Sequence, residues 1–260
     1  MILIIDSIAI IASIALLTYA SWNDYISREV PDIVWIIFAP TGIILTFLRL
    51  HIEKDLILIS LFSVAIIAII SLIAFYTGMF GGADAKALIC IALAMPVYPI
   101  FLTKFVQPMF PLSVMVNSFL IASFVSVYAV LRNVYWLVSK KEKLFYELES
   151  ESLGKKILAF ISGFKISIDE YKTDKHLHLI EKIESKNGTK EKHLEILFIL
   201  ENHGEDLNDY VPKEYLNMNS SRNVWVTSLI PMIIFITLGY LATLIIGDTV
   251  LNIIVDLMKI

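Results

Sequence analysis

Apolar residues in this chain come in long unbroken runs, not in the alternation of a half-buried strand or the one-sided stripe of a surface helix. Runs of roughly 20 residues match the length an α-helix needs to cross hydrocarbon. Six stretches read as transmembrane helices: Ile2–Trp22, Ile33–Leu48, Leu56–Thr77, Ala85–Leu102, Leu112–Val138 and Val226–Ile246. The first has no basic flank before it, and its apolar part is too long for the core of a signal peptide, so it reads as a helix. Between the fifth and sixth runs the pattern breaks. Residues 139–225 hold 14 of the 21 Lys and Arg and 16 of the 25 Asp and Glu. The expected fold is an all-α polytopic membrane protein with six transmembrane helices and a small α+β cytosolic insertion between helices 5 and 6. Its parts are a membrane domain over 1–138, a polar insertion over 139–225, and helix 6 with a tail over 226–260, which returns to the membrane domain.

Within the insertion, "KHLHLIEKIE" and "KHLEILFILE" read as strands on either side of "SKNGTKE". Asn187-Gly188 is a two-residue hairpin signal, since both positions tolerate positive φ. A short helix is expected around Leu153–Phe160.

Composition sharpens this picture. The chain is 57% hydrophobic with a mean hydropathy of +0.75, above what a soluble domain carries. Cys90 is the one cysteine and lies in an apolar run, which excludes a disulfide framework and a cysteine-based zinc site. His176 and His178 alternate on an expected strand and read as solvated, so neither a metal nor another cofactor is expected. Lys140, Lys141 and Lys143 follow the fifth run, and basic residues mark the cytosolic side. That puts the insertion in the cytosol and both termini outside. Trp22, Trp35, Trp136 and Trp225 then fall at cytosolic helix ends, where an indole suits the interface.

The carboxylates can be ranked on that topology. Asp6 and Asp24 are separated by about 27 Å of helix, near opposite faces of the bilayer. Asp248 and Asp256 follow the sixth run on the outer side, as do Glu53 and Asp55 after the second. Asp32 follows Pro31 at the start of the second helix and reads as a cap that suits the helix dipole. Asp24 ends the first helix and Asp84 opens the fourth, just after the glycine-rich turn "GMFGGADAK". Ionisable groups in a membrane domain are functional candidates. Two carboxyls that meet hold one proton between them, so one can act as general base and the other as acid. That is sufficient apparatus for peptide hydrolysis without a metal or a nucleophilic side chain.

"NDYISREVPDIVW" and "GGADAK" together resemble the two signature regions of the archaeal type IV prepilin-like peptidases, membrane aspartyl proteases of the GxGD type. The closing "VWVTSLIPMIIFITLGYLATLIIGD" is similar to the last span of the preflagellin (prearchaellin) peptidase branch. The resemblance covers most of the membrane portion and is poor across the insertion. It implies an endopeptidase that removes the short basic leader of preflagellin or pilin-like precursors, after a glycine and at the cytosolic boundary. Asp24 and Asp84 would be the catalytic pair, with Gly81, Gly82, Ala83 and Lys86 as supporting motif residues. Ala83 stands where the motif has glycine, which argues against positive φ there. Gly81 and Gly82 are expected to let the turn move. The implied partners are those precursors and membrane lipid, with no nucleic acid. The competing class is a small proton- or cation-coupled transporter using Asp24 and Asp84; it predicts Gly- or Pro-broken spans meeting at mid-membrane.

Overall fold

The computed structural model describes residues 1–102, 108–140, 144–173, 177–186, 189–194, 223–228 and 231–258. They form two compact units, one of 1–122 with 231–260 and one of 123–230. The first is helical: α1 (Ile2–Ser27), α2 (Ile33–Ile52), α3 (Ile57–Tyr76), α4 (Gly82–Ala94), the opening half of α5 (Phe110–Lys140), α8 (Met232–Ile246) and α9 (Thr249–Met258). Among the described residues four stretches are long and apolar enough to cross a membrane: α1, α2, Lys54–Tyr76 and Phe110–Ser139. The pair α8 and α9, bent by 43° at the break between them, makes a fifth when taken as one span. This is a membrane protein. Many large apolar side chains face outward, among them Leu58 at 80% and Phe47 at 69% exposed, as a lipid-facing surface requires.

The fourth expected span differs from its reading. Helix α4 stops at Ala94 after 13 residues, about 20 Å against a hydrocarbon thickness of about 30 Å. The cause is local: the residue before a proline is driven out of the helical region, and Met95, at φ −146°, precedes Pro96. The irregular segment 95–99 is buried, so its peptide groups and those flanking it at Leu93 and Ile100 need partners that lipid cannot supply. Side chains on other helices provide them. Thr46 Oγ1 donates to Leu93 O at 2.7 Å, Arg49 Nη2 donates to Tyr98 O at 2.9 Å, and Ile100 N donates to Asp6 Oδ2 at 2.8 Å. Arg49 also pairs with Asp6 Oδ1 and Glu53 Oε2, each at 3.1 Å. Arg49 and Asp6 therefore lie buried inside the bundle.

Helix α4 is the hub. It packs against α1, α2, α3 and α8, and Ala85, Ala87, Leu88, Cys90, Ile91, Ala92 and Ala94 are all buried. Small residues permit the close approach. A Cβ on Gly42 of α2 would sit 2.9 Å from the Ala94 backbone, and α3 buries Ser60, Ser63 and Ser71 along one face. The first half of α5 joins through Phe110, edge-on to both Tyr98 and Tyr240 at 5.3 Å.

The sixth expected span also shifts. Asn223–Ser228 is a strand, and the helix begins only at Met232, with Pro231 as its N-cap. Trp225 is fully buried and stacks on Phe145 at 4.8 Å, so it is a core residue of the second unit and not an interfacial anchor.

The second unit contains the rest of α5, α6 (Leu153–Ser162), β1 (Gly163–Ser167), α7 (Ile168–Thr173), β2 (Leu177–Leu179), β3 (Glu181–Lys186), β4 (Thr189–Leu194) and β5 (Asn223–Ser228). Strands β3 and β4 pair antiparallel with Lys186 opposite Thr189, and the expected turn Asn187-Gly188 lies outside the described residues. The expected short helix is α6. A three-stranded sheet in the order β1-β5-β2 was not foreseen. Its inner face packs Phe164, Ile166, Val224 and Val226 with Ala129 of α5.

Candidate active site

Asp24 lies in the last turn of α1. That turn closes on Arg28, whose N–H donates to Asp24 O at 3.1 Å and whose φ of 61° is the one positive value among described non-glycine residues. A left-handed conformation costs a side-chain-bearing residue roughly 1–2 kcal/mol. The guanidinium of Arg28 lies near enough to act electrostatically on the Asp24 carboxyl.

The glycine-rich turn performs two separate tasks. Gly78 has φ 72°, and the N–H groups of Met79 and Phe80 both donate to Ala74 O, at 2.8 and 3.0 Å, which ends α3. Phe80 is buried and stacks on Phe119 at 5.7 Å, fixing the path of the turn. Gly81, in ordinary extended backbone at φ −68°, is the N-cap of α4 and puts Asp84 at the third helical position. The Gly81 N–H donates to Asp84 Oδ2 at 3.0 Å. An acid in a first helical turn also faces the positive end of the dipole. Ala83 is helical, in keeping with the expectation that its φ is not positive.

The arrangement puts the two acids within electrostatic reach of each other. Helices α1 and α4 pack directly on each other, and the charge of Asp24 acts on the Asp84 carboxyl. Both acids are half-buried. Two carboxyls that meet can share one proton and activate a water.

Lys86 and Asp32 form an ion pair between α2 and α4. Asp32 is the N-cap residue of α2, but its side chain makes no capping hydrogen bond. It instead accepts from Lys86 Nζ at 2.7 Å, tying the start of α2 to the first turns of α4. The two residues are 54 positions apart, so no local pattern announces the pair. They stand at one end of an open groove of about 620 Å³ between α2 and α4, lined also by Trp35, Ile36, Ala39, Pro40, Ile89 and Cys90. His176 lies outside the described residues, and among those described no group of three or more His, Cys, Asp or Glu is arranged to hold a metal.

Residues 11–131, which include both aspartates, match the model of the type IV leader peptidase family. Residues 155–249 match that of the archaeal peptidase A24 C-terminus, type II. The chain is similar to preflagellin peptidases from three methanogens. It is 28% identical to that of Methanococcus maripaludis, over 91% of this chain and 94% of the relative. It is 27% identical to that of Methanocaldococcus jannaschii, over 94% and 95%. With that of Methanococcus voltae it shares 28% identity, over 93% and 96%. The bundle and these matches together define a membrane peptidase. The chain belongs to the type IV leader peptidase family.

Proposed function

We propose that this peptidase removes the short basic leader from preflagellin or pilin-like precursors, after a glycine and at the cytosolic membrane boundary, with Asp24 and Asp84 as its catalytic pair. The observation that carries this reading is the packing of α1 on α4, with Asp24 close enough for its charge to act on Asp84. The ionised member of the pair takes a proton from water, and the hydroxide adds to the scissile carbonyl carbon. The protonated member donates to the carbonyl oxygen, giving a tetrahedral gem-diol. Collapse of that intermediate breaks the C–N bond as a proton passes to the leaving amine. Each turnover consumes one water and leaves the pair with its single proton. The Gly81 N–H and the start of α4 would steady the charged form of Asp84.

In this reading the insertion and the active site face the cytosol, the side marked by Lys140, Lys141 and Lys143. The transporter alternative would use ionisable groups at a mid-membrane break. The break in α4 follows Ala94, ten residues beyond Asp84, and no observation places Asp24 or Asp84 there.

The test is processing of a precursor by membranes carrying the full chain. Asp24→Asn and Asp84→Asn should each reduce cleavage at least about 10³-fold at unchanged expression, since either exchange removes one of the two proton-transfer roles. Asp55→Asn, at an exposed acid outside the bundle, should cleave normally. Normal cleavage by either active-site variant would sink the reading.

A further inference from the structure

Helix α6 carries its apolar side outward. Leu153, Ile157 and Ile161 follow one another at spacings of four, with Leu158 beside them on the same arc of the helix. Their exposures are 78%, 58%, 43% and 50%. The side turned to the protein is small. Ala159 is fully buried there, in a cluster with Leu144, Leu148, Ile180, Leu194 and Trp225. An amphipathic helix of a domain surrounded by water turns its stripe to the core. This one does the reverse. Its two lysines leave the stripe uninterrupted, because Lys155 Nζ reaches Glu151 Oε2 at 3.0 Å and Lys156 Nζ reaches Glu149 O at 2.9 Å.

What the stripe meets is set by α5. Asn133 is buried, and its Nδ2 donates to Phe160 O at 2.9 Å and to Gly163 O at 2.7 Å. These bonds hold the C-terminal end of α6 level with Asn133, about 10 Å before α5 ends at Lys140. At that level α5 still belongs to the span-length apolar stretch Phe110–Ser139. Its neighbouring residues Leu131, Tyr135 and Val138 are 63%, 72% and 71% exposed. The C-terminal end of α6, with Ile157, Leu158 and Ile161, is thus tied to the last part of a helix long and apolar enough to cross a membrane.

We infer that α6 is an interfacial helix, whose residues Leu153, Ile157, Leu158 and Ile161 enter the lipid surface at the end of α5. Lipid is the occupant because the side chains of α5 at the same depth are bare and apolar as well, and in a membrane such a surface is covered by acyl chains. The insertion is then fastened at two points, through α5 and through α6. This inference stands whichever residues perform the cleavage.

Site-specific quenching on the full chain in vesicles of phosphatidylcholine and phosphatidylglycerol tests it. With Cys90→Ala as background, single cysteines at 153, 157 and 161 carry an environment-sensitive fluorophore, and one at the exposed Asp169 serves as reference. Nitroxide-labelled lipid should lower emission at the three stripe positions by about twofold or more, with little effect from aqueous iodide. Position 169 should show the opposite. Iodide access at the stripe equal to that at 169 would overturn the inference. Protection from both quenchers would overturn it too, in favour of a protein cover, and of a second copy of this chain if that protection fades as protein is diluted in lipid. Leu153 is the most exposed of the three, so its exchange keeps the test readable if the others disturb folding.

Discussion

A methyl group on Gly81 would come within 3.2 Å of Asp84 Oδ2, closer than a carboxylate oxygen normally tolerates. The carboxyl would have to shift by a few tenths of an ångström or give up its bond to the Gly81 N–H. A methyl on Gly82 would instead meet Phe75 at 3.6 Å, an ordinary contact. Gly81→Ala should therefore slow precursor cleavage by roughly tenfold, the scale expected of a small misplacement of a reacting group, with Gly82→Ala close to the parent. Timed processing assays on both variants decide this. Equal losses would favour a turn that needs both glycines for motion. At this scale the sequence made Asp24 and Asp84 candidates, because an ionisable group costs so much in an apolar run that its presence is informative. It did not disclose the pairing of Lys86 with Asp32, which depends on α2 and α4 lying side by side.

At the scale of elements, local chemistry counts wherever one dipeptide governs the backbone. Strands β3 and β4, which flank Asn187-Gly188 in the chain, pair antiparallel, and Pro96, which the expected span to Leu102 passed over, accounts through Met95 for the early end of α4. The β1-β5-β2 sheet was hidden because β5 joins strands that precede it by more than 40 residues. Glu151 illustrates how such distant pieces are held. Burial opposes its charge, but Lys155, the Leu194 N–H and His193, each at 3.0 Å, together hold its carboxyl below the ordinary range. A depressed value stabilises the fold at every pH above the carboxyl's ordinary value, and that contribution disappears as pH falls through the depressed one. The insertion should thus keep its thermal midpoint from pH 7 to about 5 and lose stability below about 4. Glu151→Gln should lower the midpoint at neutral pH and flatten the acid limb. Unfolding followed by tryptophan emission reads both, since Trp225 lies in the cluster beside this carboxylate.

For the whole molecule, the deciding feature is that the hub helix is too short to span and is completed by a buried irregular segment. Asp6 from α1 and Arg49 from α2 satisfy that segment, so a charge pair holds three parts of the bundle together. Exchanging one partner leaves the other buried and unpaired, which costs about 3–5 kcal/mol, whereas replacing both with apolar residues of similar size costs far less. Arg49→Met should accordingly lower stability by about that amount in detergent, and Asp6→Leu with Arg49→Met should recover only part of the loss, because Tyr98 O and the Ile100 N–H then lack their partners. Thermal unfolding of the single and double variants is the measurement. An additive loss in the double variant would mean that the two side chains do not act as a pair.

The amino-acid order alone determined that the chain enters a membrane, that its polar residues gather in one insertion, and which two acids stand at an apolar boundary. These follow from chain-local quantities: run length, charge content and turn chemistry. Only the tertiary structure decided that α4 is the hub, that Arg49 faces inward, that Asp32 answers Lys86, and that the stripe of α6 points away from the protein. Each of those depends on which surfaces meet, and a side chain's neighbours across tens of residues are fixed by packing and not by its place in the order.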